Sequence, residues 1–325
     1  MKIYIPHSAF LGNFNQFLMG FDPNSPDKLE ITSNPKWIAV HPVALAMIGA
    51  LAKTVEFGSI SCNTFNTKAR NYIIRMGALN FCGLDPGPHR VVEHEPAGRF
   101  IPLMEIRDSG QAAKFIGDIV PLLHLQDLPD QAQTISYIVS ELVRNVLEHA
   151  NAEHGAIVCA QYYKKSNSIG IGIADTGLGI KKTINRSHPA FTDLEAIRLA
   201  LQPGITGTTS REGGTAENAG NGLFFTKSIA HVNKDFFVLY SGNALYKLLK
   251  PSGTSDRTSL YGDPFDDRHS KGEIYPYWQG TVVGINISLD RTRELSALLG
   301  LIRESCAKEM RERRRARYRK PKFTT

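Results

Sequence analysis

The segment Tyr137–Ala150, YIVSELVRNVLEHA, decides how the chain is read. At about 100° per residue the helix it belongs to gathers Ile135, Ile138, Val139, Leu142 and Val146 on one stripe. Glu141 and Asn145 fall just beside that stripe and His149 falls within it, while Ser140 and Arg144 take the opposite, solvated face. A carboxylate at the margin of a core loses hydration and needs a cation, a donor or a bound water. An amphipathic helix with one marginal Glu accounts for this segment equally well, so the decision passes to the rest of the chain.

Downstream, SIGIGIAD (Ser168–Asp175) alternates as a strand. It puts Ile169, Ile171 and Ile173 on one face with Asp175, and Gly170, Gly172 and Ala174 on the other. TGLGI follows, where Gly177 and Gly179 let the backbone turn sharply or approach a ligand closely. A buried acid beside glycines suits a purine, whose exocyclic amine donates to the carboxylate. In the last strand, GTVVGINISL, Thr281 shares a face with Val283, Ile285, Ile287 and Leu289, which points its hydroxyl inward. Pro203–Gly222 is rich in Gly, Thr and Ser, and a connector of that length inside a domain reads as a lid or binding loop. It ends in GNGL directly before a predicted helix, Leu223–His231, and amides freed at a helix start form an anion site. No GxxxxGK[ST] occurs, and Phe225 occupies the last position of a GxGxxG.

With 325 residues, 42% hydrophobic and 21% charged, the chain is long enough for two ordinary cores. The most apolar window, Trp37–Ala52, is interrupted by His41 and Pro42 and is too short to cross a bilayer, so a buried helix is expected. No secretory signal is visible at MKIYIPHSAF, and the scattered Cys62, Cys82, Cys159 and Cys306 fit reduced thiols, so a cytoplasmic location is expected. Lys308–Lys322 carries nine Lys or Arg against two Glu, which accounts for the whole net charge of +7. A nucleic-acid role therefore falls to this tail, although a solvated helical end explains it more simply. Short alternating strands and helices fill residues 1–90, with strands at Lys28–Thr32 and near GSISC and helices at Val43–Val55 and Thr67–Met76. A Gly/Pro-rich stretch runs over Gly83–Gly98 and supplies a linker at 91–98, a second unit spans 99–290, and a C-terminal helix with its basic tail spans 291–325. Pro251–Trp278 reads as a loop, and DLPDQ as a capped helix start with a Pro in its first turn.

Taken in order, ELVRNVLEHA, DTGLGI, GNGL and the Gly280-Thr281 pair resemble the boxes of the GHKL (histidine-kinase-like) superfamily of ATP-binding domains, from about Arg99 to Leu289. The resemblance implies a Bergerat α/β sandwich, with a mixed, largely antiparallel sheet covered on one face by helices. It implies ATP and Mg²⁺ as cofactors, Asn145 as the Mg²⁺ ligand and Glu141 as the residue polarising the attacking water or hydroxyl. Asp175 would accept from the adenine amine, Thr281 would hold a water beside it, and Gly177, Gly179 and Ile180 would shape the pocket. Gly220, Asn221, Gly222 and Leu223 would cradle phosphate, with His149 near the same site. The ExxxNxxxHA form is similar to the anti-sigma-factor and serine-kinase members, which implies a protein partner and Mg²⁺-dependent ATP hydrolysis or phosphoryl transfer. A nucleotide-gated binding switch is the alternative. Residues 1–90 resemble a STAS-like domain, in which Ser59 or Ser61 is a phosphoacceptor candidate.

Overall fold

A computed structural model describes residues 1–36, 38–62, 70–85, 100–122, 125–207, 221–250, 260–290 and 295–317. The expected linker at 91–98 lies outside the described residues. The isoleucine strand predicted from SIGIGIAD is an interior strand of a seven-stranded sheet. In chain order its strands are β7 (Phe100–Ile106), β8 (Ala156–Tyr163), β9 (Ser168–Ala174), β10 (Phe237–Gly242), β11 (Ala244–Leu248), β12 (His269–Gly272) and β13 (Trp278–Ser288). They lie side by side as β12-β11-β10-β13-β9-β8-β7. Every pairing in this sheet is antiparallel, so the mixed character implied by the resemblance is absent from it. Mixed pairing occurs instead in the N-terminal sheet of β1 (Lys2–Ile5), β3 (Phe21–Asp22), β4 (Leu29–Ser33) and β6 (Ile60–Cys62), ordered β3-β1-β4-β6. A two-stranded parallel pair, β2 (Ser8–Ala9) with β5 (Ala39–Val40), completes that unit. The chain is thus a mixed α/β protein.

Period-2 alternation sorts the large sheet's two faces. Ile169, Ile171 and Ile173 of β9 and Val283, Ile285 and Ile287 of β13 share one core with the helices of the second unit. Those helices are α5 (Ser109–Leu122), α6 (Pro129–Asn145), α7 (Ile180–Ile184), α8 (Asp193–Ala200), α9 (Gly222–Val232) and α10 (Leu295–Arg317). Helix α6 turns the expected stripe inward, with Ile135, Ile138, Val139 and Leu142 at most 2% exposed. Its start differs from the reading of DLPDQ. Pro129 occupies the first turn, but the N-cap is Leu128 and no side chain caps it.

The opposite face is covered as well, which the resemblance did not imply. Within the N-terminal unit α1 (Phe14–Met19), α2 (Pro42–Lys53), α3 (Arg70–Arg75) and α4 (Ala78–Phe81) are the helices, and α2 is the apolar one read from Trp37–Ala52. All but its last residue are buried. It lies on β8 and β9, and one core joins Val43 and Met47 to Ile157, Cys159 and Ala174. Gly172 explains how so close an approach is possible: a Cβ there would stand 2.2 Å from the Val43 amide nitrogen. The glycine face of β9 is therefore a seat for a helix start. His41 caps that start, its Nδ1 accepting from the Val43 amide (3.1 Å) while Nε2 donates to Asn286 Oδ1 (2.9 Å) on β13.

Two local expectations change. The segment read as a loop, Pro251–Trp278, contains β12, an edge strand paired with β11. Its alternation is hidden because His269, Ser270, Lys271 and Gly272 are all polar or small, as suits an edge strand. Of Thr67–Met76, the structure describes a helix over Arg70–Arg75.

Candidate functional site

The site begins with α6, whose last turn widens into a π-helical turn over Val146–Ala150 and stops at Asn151 in the left-handed conformation. Such turns reorient the side chains that follow them. Here Glu141, Asn145 and His149 all line one cavity of about 390 Å³, enclosed by α6, α7, α9 and the ends of β9 and β13. Its floor is apolar, with Ile173 and Val283.

Asp175 stands at one end of this cavity and is 2% exposed. Its Oδ1 accepts from the Gly177 amide at 2.8 Å. Its Oδ2 is buried and has no hydrogen-bond partner among the described residues. Burial raises the carboxyl from 3.8 to about 7, against the opposing pull of backbone amides from Gly177 and Thr281. The strand end is held from both sides, since the Asp175 amide donates to Thr281 O (2.9 Å) and Trp278 Nε1 donates to Asp175 O (3.0 Å). An acid fixed this firmly and left with one free oxygen is built to receive a donor.

Thr281 lines the same cavity, on the Val283 face of β13. Gly179 and Ile180 also line it, and the Ile180 amide is anchored on Ser241 Oγ at 3.0 Å. Gly177 contributes its amide to Asp175, and the next amide, of Leu178, donates to Ala150 O at 2.7 Å, tying this loop to the end of the π-turn. Asn221, Gly222 and Leu223 bring the start of α9 to the cavity wall. Asn221 Oδ1 accepts from the Gly204 amide at 2.8 Å. Gly220 lies outside the described residues, as does most of the Gly-rich loop, 208–220.

The opposite end of the cavity is charged. A Cβ on Gly222 would stand 2.3 Å from Glu141 Oε2, so glycine lets the start of α9 meet the carboxylate of α6. An anion is favoured at a helix N-terminus. Burial raises the Glu141 carboxyl, and Arg144 opposes the shift. Arg144 was expected on the solvated face. Its side chain is partly exposed, yet the guanidinium turns back to give Glu141 two hydrogen bonds of 2.7 and 2.9 Å and lines the cavity. The i, i+3 spacing of Glu141 and Arg144 was the available signal for this pair. Arg303, from α10, also lines the cavity, and no local pattern could have found it. Asn145 Nδ2 is buried without a partner among the described residues.

No group of three His, Cys, Asp or Glu able to hold a metal occurs among the described residues. A divalent ion here would lean on a ligand's own oxygens, the way Mg²⁺ is bound beside phosphates, with Asn145 as the nearest neutral donor. No protein-family model matches the chain, and no curated protein matches it. Fold and site alone therefore define its class: a mixed α/β protein whose antiparallel sheet encloses a cavity with an unpartnered acid at one end and a Glu-Arg pair at a helix start at the other.

Proposed function

We propose that this cavity binds ATP with Mg²⁺ and that the chain hydrolyses ATP or transfers its phosphoryl group to a protein partner, as a histidine-kinase-like member of the GHKL superfamily. The observation that carries this reading is Asp175 Oδ2, a buried carboxylate oxygen with no partner among the described residues, in a cavity also lined by Glu141, Asn145 and the start of α9. An adenine amine supplies the donor that Asp175 lacks, over an apolar floor that suits a flat base. The ribose-phosphate portion then extends toward Gly222, Arg144 and Arg303, where α9 and two guanidiniums meet its charge. Asn145 would hold Mg²⁺, which supplies neutralisation of phosphate charge. Glu141 would orient and take the proton of the attacking water or hydroxyl, and burial, which raises its carboxyl, makes the ionised form a better proton acceptor.

Arg144 occupies both oxygens of Glu141. That pairing favours, as a second reading, a nucleotide-gated binding switch in which the base is held back. ATP titration by calorimetry with and without Mg²⁺, followed by phosphate release, separates the two. Binding that Asp175→Asn removes, with turnover that Glu141→Ala removes while binding survives, is the enzymatic result. Binding without turnover, with or without candidate protein partners, leaves the switch. No ATP binding refutes both.

A further inference from the structure

Behind the wall formed by Leu178 and Gly179 lies a second concavity of about 690 Å³, with Gly179 lining both. One side is the outer face of α7 and its exit, carrying Lys181, Lys182, Asn185 and Arg186. The other side carries Asn243, Tyr277 and Gln279. Lys181, Lys182 and Arg186 make no ion pair among the described residues. Asp193, the carboxylate in the groove, is engaged by the Asn243 amide at 3.0 Å. Among the described lining residues three cations thus outnumber a single carboxylate, Asp193, which is held by a backbone amide.

Exposed apolar side chains stand at Tyr277 of the groove and on two turns that neighbour it in the chain. Phe191 is 84% exposed, Ile274 80% and Tyr277 50%. The turns that carry Phe191 and Ile274 are tied together beside the groove, the Leu194 amide donating to Glu273 Oε1 (3.1 Å) and the Tyr275 amide to Asn243 O (3.2 Å). Large apolar side chains exposed around a polar, cationic groove mark an interaction surface.

We infer that this groove docks an acidic segment of a protein partner, its carboxylates on Lys181, Lys182 and Arg186 and its apolar side chains on Phe191, Ile274 and Tyr277. The amide side chains of Asn185, Asn243 and Gln279 offer both donors and acceptors to a peptide backbone lying between them. A nucleic acid is disfavoured because outside Lys308–Lys322 the chain carries no net charge, so no broad field draws a long polyanion to this face. The site goes beyond the proposed nucleotide reading and does not depend on it, although the shared wall at Gly179 sets the two side by side.

The test is fluorescence anisotropy of the full chain with a fluorescein-labelled Glu-Glu-Leu repeat peptide, an all-Glu peptide of equal length and a single-stranded oligonucleotide. Wild type binds the Leu-containing peptide in a salt-sensitive manner, and Lys182→Glu/Arg186→Glu weakens it about tenfold or more. Phe191→Ser/Ile274→Ser weakens the Leu-containing peptide and spares the all-Glu one. Circular dichroism melts confirm that these exposed-site variants fold. Wild-type affinity in the charge-reversed variant would assign binding to the basic tail and overturn the proposal. So would no peptide binding at all, or an oligonucleotide that outcompetes both peptides. A parallel ATP titration keeps the two readings apart, because a chain that binds peptide but not ATP retains the groove and loses the nucleotide site.

Discussion

Asp175→Asn should make the free protein more stable while removing its ligand. The wild-type carboxyl titrates at about 7 in the folded state against 3.8 when unperturbed. Between those values the native state holds a proton that the unfolded state releases, so stability falls as pH rises through this window. At about 1.4 kcal/mol per pH unit, the full cost above pH 7 is roughly 4 kcal/mol. Asn keeps the acceptor for the Gly177 amide and never ionises. Its amide group is a buried unpaired donor, but so is the protonated acid's hydroxyl, and those two costs roughly cancel. Urea unfolding at pH 8 should therefore show the variant more stable by about 2–4 kcal/mol, and the difference should shrink by about half near pH 5 and vanish only below about pH 4. ATP titration of the same variant should show binding lost. In wild type, a donor to Oδ2 favours the ionised acid, so apparent affinity should rise with pH up to about 7 and then level off. A variant less stable than wild type at pH 8, or equally stabilised at pH 5 and 8, would refute the account of a desolvated, partnerless acid.

Burial lowers His41 from 6.5 to about 4, so the unfolded state binds a proton that the native state refuses, and stability is lost as pH falls through this window. The loss is about 3 kcal/mol, should flatten in His41→Gln by urea unfolding at pH 7.5 and 4.5, and opposes the Asp175 titration over much of the same range. Gly172→Ala should cost about 1–3 kcal/mol or more, because the new methyl meets the backbone of α2. Gly117→Ala, where nothing lies within 4 Å, should be neutral or mildly stabilising, and equal thermal melts for the two variants would count against the seating of α2 on β9. Lys227 on α9, 1% exposed, pairs with Asp267 at 2.5 Å, and His231 lies 3.2 Å from the same carboxylate. Lys227→Met should cost about 3–5 kcal/mol by leaving that acid unpaired, with much of the loss recovered in Lys227→Met/Asp267→Leu. A double variant no better than the single one would show that packing, and not charge, sets the cost.

The sequence by itself determined the local patterns. Alternation in Ser168–Asp175 and Gly280–Leu289 named the inward face of β9 and β13, because a strand has only two faces and one holds isoleucine and valine. The 3.6 period of α6 placed Glu141 and Asn145 at the edge of a core for the same reason. An apolar run, interrupted only by His41 and Pro42, announced α2 as buried, without saying against what. Tertiary structure decided the rest, because it depends on groups far apart in the chain. It set α2 on the glycine face of β9, so that both faces of the sheet are covered. A polar edge strand, β12, was invisible because its pairing rests on backbone groups and not on side-chain pattern. Arg303 reached the cavity from α10, and Arg144, solvent-exposed as expected, bends its guanidinium to a half-buried carboxylate one turn away. The missing partner of Asp175 Oδ2 likewise became a fact only when the fold had closed around it.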